Sequence, residues 1–327
     1  MLILVAALGA PLVAQAQAFD IKDWTVACDN TRTCRAAGYS AEGSAAPVSL
    51  LIARSAGGGA PVYGELQLGV LDGSSRPASV GLPGSGKAVI AIRVDRNNHA
   101  ELAANAMVAI LKTLSVGGDV QLTSGRTTWR VSGAGALEAL QKMDDVQGRS
   151  GGPTALVRKG GGSAGDVASA MATPRMSATR VPATQQPDDA ALAVRVLAAI
   201  QSTPDCPLLD DGASQSRGRL WHLDANRLLV TQPCRTGATA QGWWVANRRP
   251  PYDARPVTYA GEFDGVATIA VRQASGAAGD CGSAEAWTWT GFRFEQTYAA
   301  TGGLCRGVKA GGAWELPTLV TDVIPAQ

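Results

Sequence analysis

FDIKDWTVACDNTRTC, residues 19–34, places a tryptophan and two cysteines around an Asp29-Asn30 pair. Asp and Asn favour turns because their side chains hydrogen-bond the neighbouring backbone. Alternate residues of a strand share a face, so we expect Trp24 and Cys28 on one face of a first strand, with Trp24 buried beneath it. We also expect a Cys28–Cys34 disulfide that closes a short ring and holds this strand in place.

Residues 1–18, MLILVAALGAPLVAQAQA, predict export. An apolar run followed by two overlapping Ala-x-Ala patterns is typical of a secretory signal peptide. A membrane anchor is the alternative, but it needs about 20 unbroken apolar residues, and Gln15 and Gln17 end this run earlier. No Lys or Arg precedes the run, which indicates a translation start upstream of Met1. We expect a soluble periplasmic or secreted mature protein with no integral membrane span.

Disulfides are stable in such a compartment, and the chain has an even set of cysteines. They are Cys28, Cys34, Cys206, Cys234, Cys281 and Cys305. The absence of a C-x-x-C pair argues against a zinc site and against a thioredoxin-like redox site. Two cysteines precede residue 160 and four follow residue 200, so pairing within each half leaves three arrangements. We favour the sequential one, Cys28–Cys34, Cys206–Cys234 and Cys281–Cys305.

Composition divides the mature chain into two. Residues 159–187 are rich in Gly, Ala, Ser, Thr and Pro and have no apolar periodicity, so we expect them not to bury enough surface to stay ordered. The predicted organisation is an N-terminal domain over residues 19–160, a linker over 161–187 and a C-terminal domain over 188–327. Residues 19–187 carry 17 Lys and Arg against 13 Asp and Glu, and residues 188–327 carry 12 against 14. Because neither part is strongly basic, we expect no nucleic-acid partner.

Periodicity predicts a mixed first half. Residues 88–94, AVIAIRV, are typical of a buried strand, and residues 127–131 alternate as in a half-buried strand. An apolar stripe of Leu102, Ala106, Ile110 and Leu114 predicts a helix over residues 98–114. A second helix is predicted to carry Leu137, Leu140 and Asp144 and to end near Gly148. This half is expected to be β-sandwich-like with two helices.

The second half is predicted to hold one helix, over residues 188–201 with Leu192, Val196 and Ile200 on its apolar face, followed by an antiparallel β-meander. Asp264-Gly265 is a strong hairpin signal. A two-residue turn at Thr290-Gly291 would pair Trp289 with Phe292 and Trp287 with Phe294, with all four aromatics on one face. The fold class is therefore α+β and mainly β.

Motifs for catalysis are incomplete. Residues 81–87, GLPGSGK, imitate a phosphate loop but lead into a strand pattern, and residues 161–165 match G-x-S-x-G within the predicted linker. His222 is two residues before Asp224, so a His–Asp pair could orient a base, although a surface pair is the simpler interpretation. We expect no metal and no cofactor.

Tryptophans provide the other candidate site. Trp243, Trp244, Trp287 and Trp289, together with His222, form a candidate binding surface that could stack on a sugar or grip a peptide. The competing interpretation is that the tryptophans fill the core of a disulfide-braced β domain.

Three segments carry a resemblance to a known family. They are KDWTVACDNTRTC (22–34), MDDVQGRSGGPTALVRKG (143–160), and GDCGSAEAWTWTGFRF (279–294) with GLCRGV (303–308). With them the chain resembles the bacterial secreted proteins of the domain-of-unknown-function family numbered 1176, over nearly the whole mature chain. The first half is also similar to the invasion-associated locus B proteins through its W-x-x-x-C-D opening. These resemblances imply export and the cysteine framework, and no catalytic residue.

Together these features predict a non-catalytic protein that binds or interacts with an envelope or host component. The alternative is an envelope hydrolase that acts on cell-wall or glycan material, with His222 and a carboxylate such as Asp224 or Glu285 in its site. The oligomeric state is left open by the sequence.

Overall fold

The structure is a computed structural model that describes residues 18–69, 76–84, 86–236 and 241–326. The predicted signal peptide therefore lies outside the described residues, apart from Ala18. Strands dominate the described chain and are joined by four α-helices, two of them in the first half, which agrees with the predicted α+β, mainly β class. No helix in the described part of the chain is long and apolar enough to cross a membrane.

The described residues of the first half form ten strands and two α-helices. They are β1 (Ala18–Ile21), β2 (Trp24–Cys28), β3 (Cys34–Tyr39), β4 (Val48–Arg54), β5 (Val62–Leu68), β6 (Ser79–Pro83), β7 (Val89–Arg93), β8 (His99–Glu101), α1 (Ala104–Leu114), β9 (Val120–Ser124), β10 (Thr127–Val131) and α2 (Ala136–Val146). Two antiparallel sheets result, with strand orders β1-β2-β3-β4-β5-β8 and β10-β9-β6-β7.

One core joins these two sheets and both helices. Trp24 and Trp129 lie in this core, one from each sheet, and so do Ile110 of α1 and Leu140 of α2. Trp24 is fully buried and its indole N–H donates to the carbonyl of Ser132 at 2.9 Å, which confirms the predicted burial. The arrangement is sandwich-like because each sheet turns one apolar face to the same core.

The six-stranded sheet is buried on its other face as well. All five residues of β2 are buried, whereas a sheet with one solvated face shows alternation. Ala37 and Tyr39 pack in a separate cluster with Val308 and Leu316 from the end of the chain. The second half therefore covers the first sheet.

Two details of the first half differ from the sequence predictions. Helix α1 begins at Ala104, because His99 lies instead on β8 after a turn in which the Asp95 carboxylate accepts from the His99 N–H at 2.9 Å. Strand β7 is present, but it is an edge strand with Val89 68 % exposed and is not fully buried. In both places the structure depends on which strands pair with each other, and the periodicity of the local sequence does not report strand pairing.

A buried polar cluster closes one side of the first core. Asp144 on α2 is 2 % exposed and accepts from the backbone N–H of Leu156 at 2.7 Å. Burial raises the pKa of Asp144, and the backbone bond and the nearby Arg54 and Arg149 offset only part of this rise. Both arginines donate to Thr154. Arg54 Nη1 lies 2.6 Å from the Thr154 carbonyl oxygen, and Arg149 Nη1 lies 3.1 Å from the Thr154 hydroxyl oxygen. The cluster ties α2 to the loop that leaves the first half.

The rest of the described chain contains eleven strands and two α-helices. They are β11 (Arg175–Ser177), α3 (Asp189–Leu197), α4 (Gly212–Gln215), β12 (Arg219–His222), β13 (Arg227–Pro233), β14 (Gln241–Asn247), β15 (Arg255–Thr258), β16 (Glu262–Phe263), β17 (Thr268–Ser275), β18 (Cys281–Trp289), β19 (Phe294–Thr301), β20 (Leu316–Leu319) and β21 (Asp322–Ile324). Antiparallel sheets of four strands (β12-β13-β14-β15) and five strands (β16-β17-β18-β19-β20) follow chain order, as expected for a meander.

The predicted linker makes main-chain contacts. Strand β11 pairs in parallel with β21. Val181 is 2 % exposed, and its N–H donates to the Val266 carbonyl at 2.8 Å. The expectation of disorder is therefore wrong for this stretch, because backbone pairing needs no apolar periodicity. The two-domain division itself stays a prediction.

The aromatic hairpin has a longer loop than predicted. Trp289 pairs with Phe294 and Trp287 with Gln296, so four residues, Thr290 to Arg293, separate the strands. The predicted register is wrong, and Phe292 is 81 % exposed instead of lying on the aromatic face. The Asp264-Gly265 hairpin is present, with Phe263 paired to Ile269.

Three disulfides are present, and they are the sequential pairs Cys28–Cys34, Cys206–Cys234 and Cys281–Cys305. The first joins directly opposed residues of β2 and β3. Within its ring, the buried Asp29 carboxylate accepts from the N–H groups of Thr31 at 2.9 Å and Thr33 at 3.2 Å. The ring is thus held covalently and by hydrogen bonds.

Candidate functional site

His222 is positioned by the start of helix α3 and not by Asp224. Its Nε2 lies 2.9 Å from Asp189 Oδ1, and the histidine is 8 % exposed. Its Nδ1 is buried and has no hydrogen-bond partner among the described residues. Asp189 also accepts from the Gln186 N–H at 2.7 Å, so the His222–Asp189 pair anchors the beginning of α3 to β12.

Asp224 has a different role from the one predicted. It lies in the turn between β12 and β13, where its carboxylate accepts from the Asn226 N–H at 2.8 Å and from Arg227 Nε at 2.7 Å. Partial burial acts to raise the pKa of Asp224, but these bonds prevail and hold it below its usual value. The predicted His222–Asp224 pairing is wrong because the turn engages this carboxylate.

Glu285, the other candidate carboxylate, lies on β18. It accepts from Trp287 Nε1 and from Gln296 Nε2, each at 3.2 Å. Both donors come from the same sheet, so this carboxylate joins β18 to β19. None of its hydrogen bonds involves His222.

The tryptophans mostly fill the cores of the second half. Trp243 is 2 % exposed, while Trp244 and Trp289 are each 1 % exposed. Successive residues of β14 point to opposite faces, so Trp244 packs with α3 and Trp243 packs toward the five-stranded sheet. Trp287 is half-buried against the same cluster as Trp243. In this structure the four side chains serve as core residues and do not form one exposed surface.

An open cleft of about 620 Å³ lies beside the His222–Asp189 pair. Three segments line it: one side of α3 with the residues just before it, the turn after β12 and the loop between β14 and β15. The lining residues are Gln186, Asp188, Asp189, Leu192, Arg195, Ala225, Asn226, Asn247, Arg248, Arg249, Pro250 and Pro251. We call it the arginine cleft, because three of these residues are arginines.

The helix and the two loops hold the cleft in shape through a few polar contacts. Arg248 donates from its backbone N–H to the Asn226 carbonyl at 2.7 Å and from Nη2 to Gln186 Oε1 at 2.8 Å. Asn247 Nδ2 donates to the Pro251 carbonyl at 3.0 Å and closes the second loop on itself. These bonds fix the walls while much of the guanidinium surface stays open to the cleft.

Two guanidinium groups are unengaged. Arg195 and Arg249 are exposed and make no hydrogen bond or ion pair with any residue that the structure describes. The Asp188 side chain likewise forms no cap bond to α3. Guanidinium groups bind carboxylates and phosphates through paired N–H donors, so the cleft is suited to an anionic group. Sequence reasoning passed over these arginines, although the Arg248-Arg249-Pro250-Pro251 run was a visible signal.

One group of potential metal ligands lies at the disulfide of the five-stranded sheet. Asp280, Cys281 and Cys305 bring their ligand atoms within 4.8 Å of one another. The two sulfurs, however, are joined in a disulfide and offer no thiolate. The Asp280 carboxylate accepts from the Gly307 N–H, so this group braces the end of the chain.

Comparison with known families gives one match, over residues 18–321, to the family described as Protein of unknown function (DUF1176). The chain belongs to this family. The resemblance to DUF1176 proteins seen in the sequence is thereby confirmed, whereas the comparison lends no support to the invasion-associated locus B resemblance. Searches of curated proteins and of solved structures returned no match.

The structure assigns a physical role to each segment that carries the DUF1176 resemblance. The first, residues 22–34, forms strand β2 of the six-stranded sheet and the disulfide-closed turn that leads into β3. The second, residues 143–160, contains Asp144 and Arg149 of the buried polar cluster. The third, residues 279–294, is joined to residues 303–308 by Cys281–Cys305, next to the face that covers the first sheet. All three segments stabilise the fold.

Proposed function

We propose that the protein is a non-catalytic binding protein of the bacterial envelope that holds an anionic group of its ligand in the arginine cleft. The observation that carries this proposal is the pair of unengaged guanidinium groups, Arg195 and Arg249, on a cleft of about 620 Å³. That volume is within the range of ligand sites, about 300–1,000 Å³.

The composition of the cleft favours binding over chemistry. Its lining contains no Ser, Cys or His, so it offers no activated hydroxyl or thiol nucleophile. Asp189, the lining carboxylate nearest the histidine, is already bonded to His222 and to the Gln186 N–H. Electrostatic capture of a carboxylate or phosphate needs none of these groups.

Co-sedimentation with isolated peptidoglycan sacculi, whose peptides carry carboxylates, tests the proposal. The double variant Arg195→Ala with Arg249→Ala removes two guanidinium groups and should weaken binding about tenfold or more. The reason is that losing charge-assisted hydrogen bonds costs about 1.5 kcal/mol or more of binding free energy. The matched control is Arg93→Ala with Arg126→Ala, which removes the same charge from exposed positions in the first half. Equal loss in both double variants would indicate non-specific attraction and contradict a site in the cleft.

The alternative, an envelope hydrolase that uses His222, is distinguished with the same material. A hydrolase should release soluble fragments from sacculi over time, and His222→Gln should abolish the release. Binding without release, unchanged in His222→Gln, is the result that we expect.

Export is a separate part of the proposal. The three disulfides support an oxidising compartment such as the periplasm. Mass spectrometry of the protein purified from its native cells should find a mature chain that starts at Gln17 or Phe19. A chain that retains Met1 would contradict export through this signal.

A further inference from the structure

A second cavity, of about 370 Å³, lies at the other end of α3 and shares no lining residue with the arginine cleft. The chain that follows the helix and the segment leading into and along β15 form its walls. The lining residues are Ala199, Ile200, Gln201, Thr203, Trp244, Tyr252, Asp253, Ala254, Pro256 and Tyr259. We call it the tyrosine cavity.

Aromatic rings form one side of the tyrosine cavity. Trp244 is almost fully buried in the core beneath α3, and its ring lies 6.1 Å from that of Tyr259 at an angle of 70°. Tyr252 and Tyr259 are only partly buried, and their hydroxyls make no hydrogen bond with any described residue. The buried indole thus supports two tyrosines that offer a ring and a free hydroxyl to whatever enters.

Charge is nearly absent from the tyrosine cavity. None of the described residues that line it is a Lys or Arg. Its one carboxylate is that of Asp253, whose Oδ2 lies 3.6 Å from Arg255 Nη2, so this charge is paired. An anionic ligand therefore has no counter-charge here, in contrast to the arginine cleft. An extended peptide is also disfavoured, because Pro256 removes a backbone donor from the edge strand β15.

A third cavity, of about 580 Å³, adjoins the tyrosine cavity at Tyr259, which lines both. Polar side chains dominate its lining. Asp205, Arg235 and Gln273 make no hydrogen bond with described residues and so remain open to a ligand. The two cavities together give an apolar, aromatic end followed by a polar end.

We propose that these adjoining cavities are neighbouring subsites for a linear glycan. A pyranose ring has an apolar C–H face and a rim of hydroxyls, which matches a tyrosine ring with a free hydroxyl at its edge. The next sugar would present hydroxyls to Asp205, Arg235 and Gln273. A purely apolar ligand would leave these polar groups unpaired, which costs affinity. This site is independent of the arginine cleft, so either proposal can fail while the other holds.

Titration with chitobiose, chitotetraose and cellotetraose, followed by tryptophan fluorescence and by saturation-transfer NMR, tests the proposal. At least one tetrasaccharide should bind saturably. Tyr259→Ala should weaken its binding about tenfold through loss of stacking, and Tyr252→Phe, which keeps the ring but removes one hydroxyl, should weaken it by a smaller factor of about threefold. Tyr63→Ala, which removes a tyrosine that is 59 % exposed in the first half, is the matched control and should bind normally.

A second variant covers the case in which Tyr259→Ala disturbs the packing of Trp244. Arg235→Ala with Gln273→Ala changes exposed side chains of the polar subsite only. It should weaken the binding of chitobiose and of the tetrasaccharides about fivefold or more, because the second sugar of each reaches the polar subsite. The proposal is overturned if no saccharide binds saturably up to about 10 mM, which would mean negligible affinity, or if both sets of variants bind like the wild type. Unchanged binding in the Arg195→Ala, Arg249→Ala variant would show that the two sites are separate.

Discussion

Replacement of the first disulfide by Cys28→Ala with Cys34→Ala should lower the free energy of unfolding without changing the folded structure. The bridge closes a ring of seven residues, since the cysteines are six positions apart. The chain-entropy relation for a ring of this length predicts a loss of about 2.4 kcal/mol at 25 °C. Cys34 is fully buried and Cys28 is 5 % exposed, so the two missing sulfurs add about 1 kcal/mol of lost packing.

The folded ring should survive because hydrogen bonds also hold it. Asp29 accepts from the Thr31 N–H at 2.9 Å, and its other oxygen lies 2.9 Å from Arg35. Strand β2 remains paired on both sides, with β1 and with β3. Removal of the bridge therefore acts mainly on the unfolded chain, which gains conformational freedom.

Urea unfolding under oxidising conditions, combined with hydrogen exchange resolved to peptides, measures this loss and locates it. Peptides that cover residues 18–39 should exchange faster, and peptides from β13 and β14 should not. The matched control is Cys206→Ala with Cys234→Ala, which opens a ring of 29 residues; its entropic loss should be about 3.6 kcal/mol against about 2.4 kcal/mol for the first bridge, and its buried sulfurs should add a similar packing loss. A loss below about 0.5 kcal/mol in the first variant would refute the reasoning. So would a disulfide map that joins Cys28 or Cys34 to a cysteine beyond residue 200.

Two other features give sharp expectations. Asp144→Ala should lower the free energy of unfolding, measured in urea, by about 2–4 kcal/mol, because two backbone N–H groups lose their acceptor and the buried Arg54 and Arg149 lose a nearby negative charge, while Asp144→Asn keeps an acceptor and should cost less. Because burial raises the pKa of Asp144, the folded protein binds a proton at this carboxylate more tightly than the unfolded chain does. The wild type should therefore gain stability relative to Asp144→Asn as the pH falls through the folded pKa toward 3.8. The opposite trend would contradict a raised pKa at Asp144. Arg306→Ala removes ion pairs with Asp23 at 2.8 Å and with Glu42 at 3.2 Å. It should lower the free energy of unfolding by about 1–3 kcal/mol and speed hydrogen exchange in residues 304–316. The control Glu42→Ala changes a side chain that is 89 % exposed and should lower it by less than about 1 kcal/mol.

Local signals predicted much of the second half correctly, but they did not determine its register. The Asp264-Gly265 turn and the apolar stripe of α3 were evident because each depends on residues close in sequence. The loop begins at Thr290 as predicted but extends two residues further, to Arg293, and Phe292 therefore lies in solvent and not on the aromatic face. Register depends on which side chains the opposite sheet buries, and here that sheet buries Trp289 and Phe294.

The candidate sites were less predictable than the fold. His222 was recognised as a residue of interest, but its partner Asp189 is 33 positions away and is brought near only by the packing of α3 on β12. Arg195 and Arg249 share the arginine cleft for the same reason. Trp244 was proposed as part of a binding surface, and it is instead the buried support of two tyrosines that sequence reasoning did not select.

The sequence by itself predicted the mixed α+β class and the burial of Trp24, and it reduced the disulfide arrangements to three, of which the sequential one is present. Periodicity reports which side of an element is buried, whereas Cys206–Cys234 and Cys281–Cys305 join residues 28 and 24 positions apart, so only the folded structure distinguishes them from the other pairings. Only the tertiary structure decided that the first sheet is buried on both faces, with Trp314 reaching Ser49 at 2.7 Å across 265 positions of the chain. The sequence pattern does not report such contacts. A strand buried on both faces differs from a strand with one solvated face only by small residues, such as Ala27 and Ala37, at the positions of the second face.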